Sequence, residues 1–338
     1  MRNTDRRDRL VVTGLMAALA ALLTTRRPGP SDFGQVWAGA RFLLQGYDPY
    51  TMIGPGRAFE WDFPLYYPLP ALLIGIPFAW LPLWLADATF AAVGAGVLAW
   101  TISGARERRA QFLVFVSFAF VVAAATAQWS LLLTAAALTP ALGWLLACKP
   151  TLGLAYLTAW PSGRSIVGAA VFGLITVAIW PWWVSAWLSV LSTAHHILAP
   201  VTVAGGPIVL IALLKWRRPE ARLLVALACV PHTPVVYEAV PLFLVVERPW
   251  EGVVLAALSV VTHLLQLQSG IGAADYAAWT LTRAQWQMWL LYLPCLLFVM
   301  RRPNIAPADD GWATLLAHVN GRWVNREEMA APSRSTPS

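Results

Sequence analysis

The sequence is short of charge. Asp, Glu, Lys and Arg make up 12% of its 338 residues, against roughly a quarter in an ordinary soluble domain. That shortage argues against a water-soluble fold. At 58% hydrophobic residues, a globule of this length could not hide its apolar side chains, whereas a bilayer accepts them. Cysteine is scarce: Cys148, Cys229 and Cys295 lie far apart, in or beside apolar stretches. No metal or redox spacing exists among them, and they read as small buried hydrophobes. HExxH, paired CxxC and glycine-rich phosphate loops are missing, so neither a metal hydrolase nor a nucleotide-driven motor has support. No metal ligand set and no cofactor is expected. The N-terminus is basic and then apolar over residues 10–24, yet it lacks an evident signal-peptide cleavage site. Arg26, Arg27 and Pro28 follow directly, so it reads as an uncleaved first helix.

Acidic residues are outnumbered, which leaves a formal net charge of +7. The basic residues are not spread as a nucleic-acid footprint would be. They fall in short clusters between apolar runs: Arg2/Arg6/Arg7/Arg9, Arg106/Arg108/Arg109, Lys215/Arg217/Arg218/Arg222 and Arg301/Arg302. Clusters of this kind mark cytoplasmic loops, and no nucleic-acid partner is expected. Nineteen Trp and eight Tyr suit a protein with many bilayer interfaces, where amphipathic rings settle.

Apolar runs succeed one another at 10–24, 83–103, 111–126, 166–188, 201–214, 253–267 and 286–300. They predict an all-α, polytopic bundle of about ten to twelve helices. Counting crossings from a cytoplasmic N-terminus puts residues 26–82 outside as one long loop with juxtamembrane helices. The segment 69–81 is too short between prolines to cross, so 83–103 is the second crossing. Residues 130–161 cross either once or three times. The transmembrane part ends near residue 303. Residues 304–338 read as a polar cytoplasmic tail, in part disordered.

The outer loop carries chemistry. Residues 33–44 suit a short helix with Ser31 or Asp32 as its cap and Gly46 as its stop. Asp32 then sits at a helix start beside the bilayer, placed either as a plain cap or as a general base for substrates arriving in lipid. Arg57 and the Tyr66-Tyr67-Pro68 segment follow, with Tyr67 shaping a cavity. Lys149 lies in apolar sequence with no acidic neighbour. It reads either as a functional cation for a buried anion such as phosphate, or as a lysine snorkelling from a helix end. His232 and Glu238 flank a proline-rich hairpin tip on the outer side, and Glu238 in an apolar run again points to function. The pair His195-His196 reads as interfacial.

Four pieces together resemble a known family. They are Asp32-Phe33 through Trp37 and Arg41 to Asp48-Pro49-Tyr50; Tyr66-Tyr67-Pro68-Leu69-Pro70; Ala127-Gln128-Trp129 followed by Lys149-Pro150; and the segment 231–238. Their order is similar to that of polytopic glycosyltransferases of the GT-C superfamily, closest to glycosyltransferase family 87 (the DUF2029 group). The chain departs from that pattern at Ala127, where glycine is usual, at Trp129, at Leu69 and at Glu238. The resemblance implies a GT-C-like helical fold in a bacterial inner membrane, with both termini cytoplasmic and the active site outside. It implies a hexosyltransferase that moves a hexose or pentose, mannose-like, from a polyprenyl-phosphate-sugar donor to a hydroxyl of a glycolipid or glycan acceptor. The lipid-linked donor is a substrate, and no cofactor is implied. Asp32 would be the base of an inverting displacement. Lys149, Gln128, His232, Arg57, Tyr67 and Glu238 would bind the donor's phosphate and sugar. A transporter or flippase, and a non-catalytic relative of the glycosyltransferases, remain the alternatives.

Overall fold

The computed structural model describes residues 3–319 apart from 28, 30, 195–196, 269–274 and 307–309. The pair His195-His196 therefore lies outside the described residues, as does the end of the tail. The fold is all-helical, 76% helix, with no strand among the described residues.

The chain opens with α1 (Asn3–Arg26), whose Leu10, Val11, Leu15 and Leu22 are exposed along an apolar flank. The long loop then builds α2 (Asp32–Leu44), the single turn α3 (Pro49–Met52) and α4 (Leu69–Gly75), before α5 (Leu83–Ser103). The segment 69–81 thus begins as the short helix α4, continues in a 3₁₀ turn at Ile76–Phe78 and is separate from α5. Helices α1 and α5 pack closely because small residues meet: a Cβ at Gly96 would come within 3.3 Å of the Ala17 Cβ.

The middle of the chain is a series of short helices: α6 (Phe118–Ala125), α7 (Trp129–Leu138), α8 (Pro150–Ala159), α9 (Gly163–Ile179), α10 (Trp183–Leu191) and α11 (Pro219–Cys229). Between them run 3₁₀ segments at Arg106–Val116, Pro140–Cys148, Gly206–Lys215 and Val236–Val245. The last part holds α12 (Pro249–Gln268), α13 (Tyr276–Gln287), a π turn at Met288–Tyr292, α14 (Leu293–Met300) and α15 (Gly311–Val319).

Three described helices are long and apolar enough to cross a bilayer: Arg6–Arg26, Leu83–Ser103 and Pro249–Gln268. Two bent pairs raise the number to five. That is compatible with a multi-pass membrane protein. Several expected single helices are broken. The run 166–188 divides into α9 and α10 with a 105° bend, because Pro181 removes an amide donor and Trp180 leaves helical geometry at φ −146°. The run 111–126 divides at Ser117 with a 63° bend. There Ser117 caps α6, its side chain accepting from the Phe120 amide. The stretch 130–161 is three short helical pieces, interrupted at Thr139-Pro140 and Lys149-Pro150. The run 286–300 starts earlier than expected and is continuous from Tyr276 to Met300 through the π turn.

The 304–338 tail is described in part. Its described part is helical in α15 and docked: Arg222 Nη1 donates to Asp310 Oδ1 at 2.9 Å, and the Trp312 indole donates to the Thr158 carbonyl at 2.8 Å.

Candidate active site

Ser31 decides the role of Asp32. Its backbone is extended, and its side-chain oxygen accepts from the Gly34 amide at 3.1 Å, so Ser31 is the N-cap of α2. Asp32 becomes the first residue of the helix, its carboxylate released from capping. The helix stops as its sequence requires: Gly46 adopts φ +81°, and the Tyr47 amide donates to the Phe42 carbonyl at 2.9 Å.

The α6–α7 corner brings the partner. Ala127 turns the chain at φ +49°, the only described non-glycine residue with positive φ. The Gln128 amide donates back to Ala123 at 2.8 Å. This corner sits against the start of α2, where the Asp32 amide donates to the Thr126 carbonyl at 3.1 Å. Gln128, 2% exposed, then directs its side-chain amide at Asp32, donating Nε2–H to Oδ2. Its own Oε1 is buried without a partner.

Lys149 stands at the break between Pro140–Cys148 and α8. Its Nζ meets Glu238 Oε1 at 2.5 Å, and Tyr237 lies beneath it with the ring centroid 5.9 Å away. The anion expected for this lysine is therefore present in the chain, at the start of Val236–Val245. Glu238 Oε2 is buried and without a hydrogen-bond partner. His232 is 4% exposed. Its Nδ1 lies 3.0 Å from the Val230 carbonyl, which can only accept, so Nδ1 carries the proton and the unpartnered Nε2 is an acceptor.

These groups act on one another. Asp32 is partly accessible, but protein packed around it raises its pKa above the ordinary carboxylate value by desolvation. The Gln128 hydrogen bond, Lys149 and Arg27 offset this, and Glu238 adds to it. The Tyr67 phenol is pushed well above its ordinary value by burial and then by Asp32 and Glu238. Burial lowers the His232 pKa and keeps its ring neutral, against the pull of Glu238.

The structure thus brings Asp32, Gln128, Lys149, Tyr67, His232 and Glu238 within one electrostatic neighbourhood. Arg57 is not part of it. That residue lies in the exposed turn after Gly54, and no described ion pair or hydrogen bond joins its side chain to the group. The charge that reaches Asp32 from this side is Arg27. A second missed residue is Asp87 in α5, 6% exposed, hydrogen-bonded by Ser31 and in the field of Asp32. The signal available for it was an acid inside the apolar run 83–103.

A cleft of about 380 Å³ lies elsewhere, lined by Ala159, Arg218, Glu220, Arg222 and Gly311 among others. Arg218 is paired with Glu220 and Glu247, and Arg222 with Asp310, so its cations are already matched. Among the described residues no group of three or more His, Cys, Asp or Glu could hold a metal ion. No family model, curated protein or solved structure matches this chain.

Proposed function

We propose that the protein is a membrane glycosyltransferase that moves a hexose or pentose, mannose-like, from a polyprenyl-phosphate-sugar to an acceptor hydroxyl of a glycolipid or glycan. The observation that carries this reading is the Asp32 carboxylate, freed from capping, oriented by Gln128 and set in the field of the Lys149–Glu238 pair. A carboxylate with a raised pKa at the edge of an apolar bundle is matched to proton abstraction near neutral pH.

Each group then has a task. The acceptor O–H donates its proton to Asp32 as its oxygen attacks C1 of the sugar. The C1–O bond to phosphate breaks on the opposite face, and the polyprenyl phosphate leaves with the bonding pair. Gln128 holds Asp32 in one orientation. Lys149, steadied by Glu238, lowers the energy of the developing phosphate charge. Neutral His232 offers Nε2 to a sugar hydroxyl, and Tyr67 walls the cavity. The proposed setting is a bacterial inner membrane, with both termini cytoplasmic and Asp32 on the outer side.

The test is donor class. Full-length protein in lipid nanodiscs is given a radiolabelled polyprenyl-phosphate-hexose or the matching nucleotide-hexose, together with a membrane glycolipid extract. Transfer from the lipid donor alone, with the anomeric configuration inverted in the product, is the expected result. Label moving only from the nucleotide donor, or with retention, would sink the proposal.

A further inference from the structure

Lys149 is a poor match, alone, for a departing phosphate. It stands already neutralised, 2.5 Å from a Glu238 whose side chain is 2% exposed. A phosphate monoester leaves with about two negative charges, so a second cation is needed near the same place. A cation that neighbours the cluster and forms no ion pair among the described residues is Arg283 in α13.

Three observations place it. The Arg283 guanidinium is in electrostatic reach of the Tyr237 side chain, and Tyr237 in turn feels Asp32 and Glu238. Gln266 Nε2 donates to both the Pro234 carbonyl at 3.1 Å and the Arg283 carbonyl at 3.4 Å, which ties α13 to the segment that carries His232 and Glu238. The guanidinium is held in place: Nη2 donates to the Gln266 carbonyl at 3.3 Å, and the Trp279 ring centroid lies 4.1 Å from Cζ. No described acidic side chain pairs with it.

Its own helix supplies further donors. Thr280, Arg283 and Gln287 are spaced i, i+3, i+7 and so share one face of α13. Thr280 and Gln287 are each 2% exposed, and Thr280 Oγ1, Arg283 Nε and Gln287 Nε2 are buried without hydrogen-bond partners. One orphaned buried polar atom is a routine occurrence, but each costs free energy when left unmatched. Three in a row, every one able to donate, describe a stripe that an acceptor-rich anion satisfies.

We propose that the Thr280–Arg283–Gln287 stripe binds the phosphate of the polyprenyl-phosphate substrate, with Arg283 as its principal cation. This rests on the lipid-linked-donor reading above. It gives α13 a direct role in substrate binding, beside the segment that carries His232 and Glu238.

Binding to full-length protein in zwitterionic nanodiscs tests it. The probes are a long-chain polyprenyl phosphate, the matching uncharged polyprenol and inorganic phosphate. Wild type is expected to hold the polyprenyl phosphate at least about tenfold tighter than the polyprenol, and inorganic phosphate is expected not to compete at equal concentration. Arg283→Gln should lose about tenfold or more of that preference and leave polyprenol binding unchanged, while Arg283→Lys should recover part of it. Thr280→Val and Gln287→Met, near-isosteric changes, should each weaken the phosphate probe by several-fold and so keep the test open if Arg283→Gln fails to fold. Wild-type affinity in Arg283→Gln, with the loss appearing instead in Lys149→Gln, would overturn the α13 site and leave the lipid-donor reading standing. Effective competition by inorganic phosphate would overturn a site built for the lipid. Equal affinity of wild type for polyprenyl phosphate and polyprenol would overturn the donor reading itself.

Discussion

At the scale of single residues, the protein gives up folding energy where it gains chemistry. Asp32 is raised above its ordinary pKa by desolvation before Gln128, Lys149 and Arg27 pull it back. A folded pKa above the unfolded one means that protonation favours the folded state. This stabilising contribution is complete below the unfolded value, near 4, and is lost as pH rises through the folded value. Catalysis has the opposite sign, since only the ionised carboxylate can take a proton. The acid limb of kcat/KM should therefore lie above the ordinary carboxylate range, and a profile measured from pH 4 to 9 checks it. A limb at or below pH 4 contradicts the role given to Asp32. His232→Gln should leave the limb where it is, because burial already keeps that imidazole neutral. Ala127 is a second costly residue. A left-handed backbone at φ +49° disfavours a side chain by roughly 1 kcal/mol, and its energy goes into turning Gln128 toward Asp32.

At the scale of elements, the sequence was readable where one rule acted alone and misleading where two competed. The cap of α2 at Ser31 or Asp32 and its stop at Gly46 were legible locally, and so was the separation of α4 from α5 at the prolines between them. Apolar length alone predicted one helix over 166–188, but Pro181 inside it outweighed hydropathy and produced two. The 3₁₀ segment Val236–Val245 similarly carries Pro241 within it. Part of the site was legible for the same reason: Asp32, Lys149 and Glu238 are charges in or beside apolar sequence, where charge needs a cause. Their pairing was not legible. Lys149 and Glu238 are 89 positions apart, and no local pattern says which buried cation meets which anion. Arg57, named by the resemblance, is not drawn into the cluster, because the turn after Gly54 carries it to the surface. Asp87 was passed over because its helix reads so clearly as a span.

At the scale of the whole molecule, the charges gather into two layers with apolar packing between them. Lys149 stands at the start of α8 and Ala159 at its end, about 15 Å apart for a ten-residue helix. Glu238 and Val245 divide Val236–Val245 in the same way. The second layer ties the end of α8, the helices α11 and α12, and the segment 302–310 together. Arg222 donates to Asp310 and to the Ala159 carbonyl at 3.0 Å, and Arg302 donates to Glu251 at 2.5 Å and to the Val245 carbonyl at 2.8 Å. The side chains of Arg222 and Asp310 are 8% and 3% exposed, so removing one partner leaves a buried charge, at a cost of about 3–5 kcal/mol. Asp310→Leu should lower the thermal midpoint of the full-length protein markedly, and adding Arg222→Met should restore most of it. If the single change leaves the midpoint unmoved, the C-terminal helix is not docked through this pair.

The central claim is that Asp32 accepts the proton of the attacking hydroxyl. The direct measurement is the single-turnover rate of sugar transfer from a preloaded polyprenyl-phosphate donor, wild type against Asp32→Asn, with donor binding measured in parallel. Asparagine keeps the size and most of the hydrogen-bonding capacity of the side chain while removing its basicity. The account predicts a loss of roughly 10²–10⁴ in rate with donor affinity within a few-fold of wild type. A variant that binds donor normally and transfers at the wild-type rate would contradict it.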